Sequence, residues 1–410
     1  MQTHLAPEFK NTADGQAAEA ILRKCVHCGF CNATCPTYQL LGDELDGPRG
    51  RIYLIKQVLE GQTPTRKTQL HLDRCLTCRN CETTCPSGVQ YGHLVDIGRK
   101  LVEEQVPRPA GEKALRWALK EGLPSPLFAP AMKVGQAVRG LLPAALKAKV
   151  PARQPSGVWP QREHARKMLM LAGCVQPAMM PNINSATARV LDAAEIQTVL
   201  APKAGCCGAV KFHLNDQDGG KAEMKNNIDA WWPFVEAGVE AIVMNASGCG
   251  VTVKEYGYHL KDEAAYAAKA ARISELTRDL SELLPMLVAA LRGKVSAHAG
   301  AIAFHPPCTL QHGQQLRGGV EQYLGELGFK VSTSASEAHL CCGSAGTYSV
   351  LNPDIAIQLR DRKLSNLGEM KPEVIVSANI GCITHLQSGT ATPVRHWVEV
   401  LDDALLLSNK

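Results

Sequence analysis

Apolar positions along this chain recur at two different periods, and the change of period divides it. In the first hundred residues, GPRGRIYLIKQVLEG places Ile52, Leu54, Ile55, Val58 and Leu59 at helical spacing, and YGHLVDIGRKLVEEQV carries a second pattern of the same kind. From residue 166 onward the pattern changes to short apolar runs: KMLML, IQTVLA and EAIVMN, then AIAF, FKVST and EVIVS. Helical patterns intervene, among them NINSATARVLDAAE and QQLRGGVEQYLGELG. Strand and helix in alternation predict a parallel sheet covered by helices, with its functional edge beyond the carboxyl ends of the strands.

At 410 residues the chain is long enough for two to four domains. Between the two regimes, Arg108 to Lys167 holds twelve Lys or Arg against Glu112, Glu121 and Glu163, with many prolines, which marks a connector. The expected organisation is a helical domain over 1–107, a basic connector over 108–165, and two α/β units over 166–295 and 296–410. Within the connector, MKVGQAVRGLLPAALKAKV mixes Lys133, Arg139, Lys147 and Lys149 with Val134, Val138, Leu141, Leu142 and Leu146. That mixture fits a solvated linker or a segment lying on anionic lipid or a neighbouring protein, and Gly140 and Pro143 oppose a continuous helix.

Charge changes the picture little: 44 basic and 39 acidic residues leave +5, too mild to indicate nucleic acid. No run of about 18 apolar residues is present, so membrane contact is expected to be peripheral. The opening MQTHLAPEFKNTADGQ has no basic and then apolar layout of a secretory leader, so a reducing cytoplasm is the expected compartment.

The cysteines change it greatly. Cys25, Cys28, Cys31 and Cys35 follow the spacing C-x2-C-x2-C-x3-C-P, and Cys75, Cys78, Cys81 and Cys85 repeat it. This is the spacing of bacterial [4Fe-4S] ligands, in which the fourth cysteine of each run serves the other cluster. One cluster is therefore expected on Cys25, Cys28, Cys31 and Cys85, the other on Cys75, Cys78, Cys81 and Cys35. Pro36 and Pro86, with no amide hydrogen and a fixed φ, turn the chain away after each run. Structural zinc draws its ligands as two pairs, and a doubled three-plus-one run fits it poorly. Helices between the runs leave no room for a compact β-rich ferredoxin. The module resembles the helical cluster domain of succinate dehydrogenase and fumarate reductase iron-sulfur subunits.

The second half repeats with its cysteines in register: Cys174, Cys206, Cys207 and Cys249, then Cys308, Cys341, Cys342 and Cys382, at offsets of 133 to 135 residues. Adjacent cysteines point apart in extended chain, so Gly208 and Gly343 are expected to form the loops that turn both inward. The spacing resembles the CCG, or cysteine-rich, domain of heterodisulfide reductase subunits and their relatives. Members often finish with C-x2-C, whereas Thr252 and His385 stand here. Three readings stay open for each set: a further iron-sulfur cluster, structural zinc, or unmetallated thiols at a docking face. The second unit adds His305, His312 and His385, the last one helical turn beyond Cys382, as ligand or proton-carrier candidates. The expected fold class is thus α+β and multidomain, an α-helical ferredoxin domain followed by two repeated α/β CCG domains.

Across nearly the whole length, stretches such as CVHCGFCNATCPTYQLLGDELDGPRGRIYLIKQVLEG, HLDRCLTCRNCETTCPSGV and HLCCGSAGTY resemble the iron-sulfur subunits of bacterial glycolate oxidase complexes. The iron-sulfur subunits of anaerobic glycerol 3-phosphate dehydrogenases and the lactate-utilisation proteins share the frame. The resemblance implies flavin-binding partner subunits that oxidise glycolate or D-lactate on FAD. It also implies electrons leaving through this chain towards a quinone or other acceptor, at the cytoplasmic side of the inner membrane. The residues agree with that division: no G-x-G-x-x-G opening a strand-helix unit, no P-loop and no G-x-S-x-G is present, so no catalytic residue is expected here. An enzyme of the heterodisulfide reductase type and a zinc-held scaffold are the competing readings.

Overall fold

The computed structural model describes residues 1–143, 150–297 and 300–406. Helices alone build the first domain among its described residues. Thr12 caps the helix Ala13–Lys24 by accepting from the amide of Gly15. The helix Pro48–Leu59 opens on a proline and buries Ile52, Ile55, Val58 and Leu59, leaving Leu54 half-buried. The helix Tyr91–Gln105 buries Leu94, Val95, Ile97, Leu101 and Val102, and these faces share one core with Ala18, Ile21 and Leu22.

Each α/β unit is a four-stranded parallel sheet. In the first, β1 (Arg166–Met170), β2 (Ile196–Leu200), β3 (Ile242–Met244) and β4 (Thr277–Asp279) run in the order β2-β1-β3-β4. In the second, β5 (Ala301–His305), β6 (Lys330–Thr333), β7 (Val374–Ser377) and β8 (Val394–His396) give β6-β5-β7-β8. Register is parallel throughout, with Arg166 opposite Ile196 and Ala301 opposite Lys330. The six expected strands are present. The edge strands β4 and β8 are additions, each three residues long, and three residues such as Thr-Arg-Asp carry no readable period.

The two units are not separate bodies. Ile183, Val190 and Leu191 of the first share one hydrophobic core with Ile302, Phe304, Trp397 and Leu401 of the second. Arg189 pairs with Asp402, and Asn182 donates to Glu399 at 2.9 Å across the same seam.

One local expectation needs correction. The pattern QQLRGGVEQYLGELG yields a helix only over Gly319–Glu326, because Gly318 takes the left-handed conformation at φ 75° and stops the chain from continuing the turn before it. The connector carries two helices, Ala110–Gly122 and Phe128–Ala137, with no buried residue. Its second helix ends before Gly140, as that glycine and Pro143 indicate, while Leu146, Lys147 and Lys149 lie outside the described residues. Arg108 and Arg116 hold the connector's start to Asp73 at 2.7 and 3.0 Å.

Candidate cluster and thiol sites

Three-plus-one convergence begins with backbone shape. Within CVHCGFC, His27 and Gly29 sit at φ 61° and 85°, and within CLTCRNC, Thr77 and Arg79 sit at φ 52° and 57°. Left-handed residues at matching offsets coil both loops alike, so three sulfurs of each run face one point. After Cys35 the helix Pro36–Leu41 starts at once on its proline.

A sulfur of the other run stands beside each trio, Cys85 near Cys31 and Cys35 near Cys81. Burial, together with Cys25, Cys85 and Cys28, pushes the Cys31 thiol up to about 11. Cys81 is fully enclosed, and burial with Cys78, Cys75, Glu82 and Cys35 raises its thiol well above the ordinary range. Thiols crowded and buried this way resist ionising together, whereas iron binds them as thiolates and removes the conflict. All sixteen cysteines are free, with no disulfide competing for them. The arrangement fits two cubanes on the crossed sets.

Their surroundings differ. Around the second set, buried Arg51 donates to the His71 carbonyl at 2.7 Å and to Thr37 Oγ1, and Arg99 donates to the carbonyls of Leu72 and Cys75. Thr37 Oγ1 is 3.3 Å from Cys35 Sγ, and Tyr91 donates its hydroxyl to Cys75 Sγ at 3.6 Å. Two buried guanidinium ions suit a cluster whose thiolates leave it anionic. The first set instead faces outward: Cys28 is exposed, and Val26 and Phe30 beside it are 69% and 63% exposed.

The second set faces the second α/β unit. Leu76 packs with Cys308, Cys341, Tyr348 and Leu359, and Cys78 lies against that cluster. Asn80 donates to the His339 carbonyl at 3.2 Å, and the Tyr348 hydroxyl to the Arg74 carbonyl at 3.1 Å. His312 joins the same seam, its Nδ1 3.1 Å from Thr83 Oγ1 and its Nε2 2.9 Å from the His339 carbonyl. Burial holds its imidazole down to about 4, so it is neutral at pH 7.

The repeated cysteines gather beyond the strand ends. In the first unit Cys206 is flanked by Cys174 and Cys207, and Cys207 reaches Cys249 at the start of the helix Ser247–Lys254. Burial and the adjacent Cys206 push the Glu223 carboxyl up to about 8. In the second unit Cys308 Sγ lies 3.6 Å from Cys341 Sγ, Cys342 follows, and Cys382 stands at the start of the helix Ile380–Gln387. Gly208 and Gly343 take φ 94° and 91°, as the paired cysteines require. A Cβ at Gly343 would stand 2.4 Å from the Ala356 carbonyl oxygen, whereas one at Gly346, φ 63°, meets nothing within 4 Å. Gly343→Ala therefore lowers the denaturation midpoint well beyond Gly346→Ala, which carries only the backbone strain of about 1–3 kcal/mol. Equal midpoints for the two variants would contradict the close approach.

Of the three histidines singled out in the second unit, His385 lies one turn past Cys382 but sets its Nε2 3.0 Å from the Ala356 carbonyl. The imidazole that joins the thiols is His305, at the end of β5, one of whose ring nitrogens comes within 4.8 Å of the sulfurs of Cys342 and Cys382. Lys363 joins them too, a residue that cysteine spacing does not point to. Its signal is in the periodicity: Ile355, Leu359, Lys363 and Leu367 recur every fourth residue, placing a lysine on the buried stripe of the helix Pro353–Gly368.

A helical two-cluster module docked on twin thiol-bearing α/β units defines an iron-sulfur electron-transfer subunit. Residues 21–89 match the 4Fe-4S dicluster domain, and residues 168–254 and 302–387 each match the Cysteine-rich domain. The chain is 57% identical to the glycolate oxidase iron-sulfur subunit of Escherichia coli K12 over 99% of both chains. It is 29% identical to the probable glycolate oxidase iron-sulfur subunit of Bacillus subtilis 168, over 93% of this chain and 91% of that one. Lactate utilization protein A of an Exiguobacterium strain is 24% identical, covering 57% of this chain and 95% of its own. The chain belongs to the family of glycolate oxidase iron-sulfur subunits.

Proposed function

We propose that this chain carries electrons from FAD-containing partner subunits oxidising glycolate, and D-lactate, to a quinone or other acceptor. The observation that carries the reading is the crossing of the two cysteine runs, which brings Cys85 to Cys25, Cys28 and Cys31, and Cys35 to Cys75, Cys78 and Cys81. These are the ligand sets for two [4Fe-4S] clusters, each supplying one-electron transfer when bound. The protein's part is to set their surroundings and their access. Cys28, with Val26 and Phe30, gives the first cluster an open face suited to a flavoprotein, and the buried cations around the second hold it inside.

No helix among the described residues is long and apolar enough to cross a membrane. Peripheral contact with the inner membrane is the reading supported by the connector, where Trp117, Leu127, Val134 and Leu141 are 64%, 72%, 65% and 87% exposed. A cavity of about 280 Å³ beside β5 sets an apolar wall of Phe304, Leu310 and Tyr323 against the charged Glu282, Arg317 and Glu321, a lining that suits a quinone's ring and its carbonyls.

The test is iron, zinc and acid-labile sulfide per chain in anaerobically purified protein, with EPR of the reduced sample and glycolate-dependent dye reduction in the assembled complex. About eight irons with matching sulfide and reducible signals are expected. Zinc without sulfide would replace the electron carrier with a scaffold.

A further inference from the structure

The stretch after Cys308 departs from regular structure twice before the next helix begins. Thr309–Gly313 is a π-helical turn, and Gln315 sits at φ 58°, left-handed for a residue other than glycine. Such geometry costs free energy and concentrates at functional sites. Here it encloses the cavity of about 280 Å³, which Glu282 and Pro285 of the first unit close from the other side. Glu282 is already paired, with Lys254 at 2.5 Å and the Asp279 amide at 2.7 Å. Glu321 Oε2, by contrast, is buried and has no hydrogen-bond partner among the described residues. Arg317, four residues before it, donates instead to the Gln311 carbonyl at 3.0 Å and to His312 Nδ1 at 3.3 Å. A buried carboxyl oxygen without a partner costs free energy that a bound ligand can recover.

We propose that this cavity is where a quinone is reduced, with Glu321 as proton donor to one of its carbonyl oxygens. The proposal rests on the electron-carrier reading above and assigns its last step. Proximity to the second set of ferredoxin cysteines is the first argument. Cys78 packs against the group that holds Cys308, and the π-helical turn starting at the next residue gives Leu310 and Gln311 to the lining. A hydrogen-bonded chain runs alongside. Thr83, between Cys81 and Cys85, lies 3.1 Å from His312 Nδ1, the atom to which Arg317 donates. His312 Nε2 donates to the His339 carbonyl, so Nδ1 accepts from both and the neutral ring is held in one tautomer.

The repeat supplies the control. Counted back by the 134 residues that separate Cys308 from Cys174, the positions of His312, Arg317 and Glu321 are Ala178, Ile183 and Thr187. None of the three ionisable groups has a counterpart in the first unit, and the second unit is the one that meets Cys78. The chemistry balances on these groups. A quinone becomes a hydroquinone by taking two electrons, delivered one at a time, and two protons. Glu321 gives its carboxyl proton to one carbonyl oxygen and is reprotonated from solvent. Arg317 offers an N–H to the second carbonyl, whose proton comes from water through the mouth at the exposed Arg317 and Gly318. Burial raises the Glu321 carboxyl above the usual range, which favours its protonated form.

The experiment compares two acceptors in the assembled complex: ubiquinone-1, which needs protons, and ferricyanide, which takes one electron and none. Glu321→Gln is expected to lower kcat with ubiquinone-1 by about tenfold or more while leaving its KM near wild type. Glu321→Asp should restore part of that rate. Gly319 also lines the cavity, and a Cβ there meets nothing nearer than the Tyr323 ring at 3.9 Å. Gly319→Leu therefore narrows the cavity and should raise KM for ubiquinone-1 several-fold, with weaker equilibrium binding of the same quinone. Ferricyanide rates and cluster EPR should stay at wild-type values throughout. Unchanged ubiquinone-1 kinetics in Glu321→Gln and Gly319→Leu would overturn the proposal. Wild type that reduces ferricyanide but not ubiquinone-1 would overturn it and leave the electron-carrier reading standing, whereas reduction of neither would remove both.

Discussion

Cys85→Ser is expected to remove the cluster held by the other run. Iron per chain should fall from about eight to about four, and the surviving EPR signal should be that of the cluster on Cys75, Cys78, Cys81 and Cys35. The reason is the crossed geometry: Cys85 lies beside Cys31 and Cys25, at the end of a loop whose other three cysteines face elsewhere. With one of two cubanes absent, single-electron hopping has no relay at that step, and glycolate-dependent dye reduction by the assembled complex should drop to background. Cys35→Ser should give the complementary loss, the inward-facing cluster disappearing and the outward-facing one remaining. If Cys85→Ser instead erased the signal of its own run, the crossing would be wrong. Full turnover in both variants would remove the clusters from the electron path altogether.

The second large effect concerns how the helical module is held. Arg79, at φ 57° in the second ligand loop, forms a two-pronged pair with Glu255 of the first α/β unit, one arm at 2.8 Å. His93 and His259 approach the same carboxylate at 3.8 Å, and His93 stacks on Tyr258 with ring centres 3.9 Å apart. Both partners are largely enclosed, and Arg79 first among charged neighbours holds the Glu255 carboxyl below the usual range. Removing one member of such a pair strands a buried charge, at a cost of about 3–5 kcal/mol. Arg79→Met should therefore lower stability by that order and loosen the cluster its loop carries, seen as faster iron loss to a chelator. The double variant Arg79→Met with Glu255→Gln should recover part of the loss, since no charge is then left unpaired. Additive losses would mean the pair does not couple loop to unit.

Glu255 also fixes the direction of a pH effect. Its folded-state value lies below the unfolded one, so its contribution is present above the ordinary carboxylate range and fades as pH falls through that lower value. Only acid below the ordinary carboxylate range should accordingly weaken this seam, read as faster iron loss to a chelator as pH falls through that region.

How much of this was legible differs from residue to residue. The two like runs of ferredoxin cysteines and the 133-to-135-residue repeat could be read from spacing, because ligands two or three residues apart have few ways to face a common atom. The central strands could be read because a strand buried on both faces is apolar along its length, as in Met168 to Leu171 and Ile375 to Val376. Strands β4 and β8 could not, since three residues contain no period. The helices Ala110–Gly122 and Phe128–Ala137 lie in a stretch whose basic charge and flanking prolines suggest a linker, and none of their residues is buried.

The sequence by itself determined the cofactor chemistry, the order of domains and the duplicated unit. Only the tertiary structure decided which histidine meets the thiols. Sequence distance favoured His385, three residues from Cys382, yet its ring is taken by the Ala356 carbonyl, while His305, on another strand, arrives beside Cys342 and Cys382. The same holds for Arg79 and Glu255, 176 residues apart, and for Cys78 lying against Cys308. Local spacing governs what neighbours along the chain can share, but strand order and core packing place residues from distant elements together, and those placements depend on the whole fold.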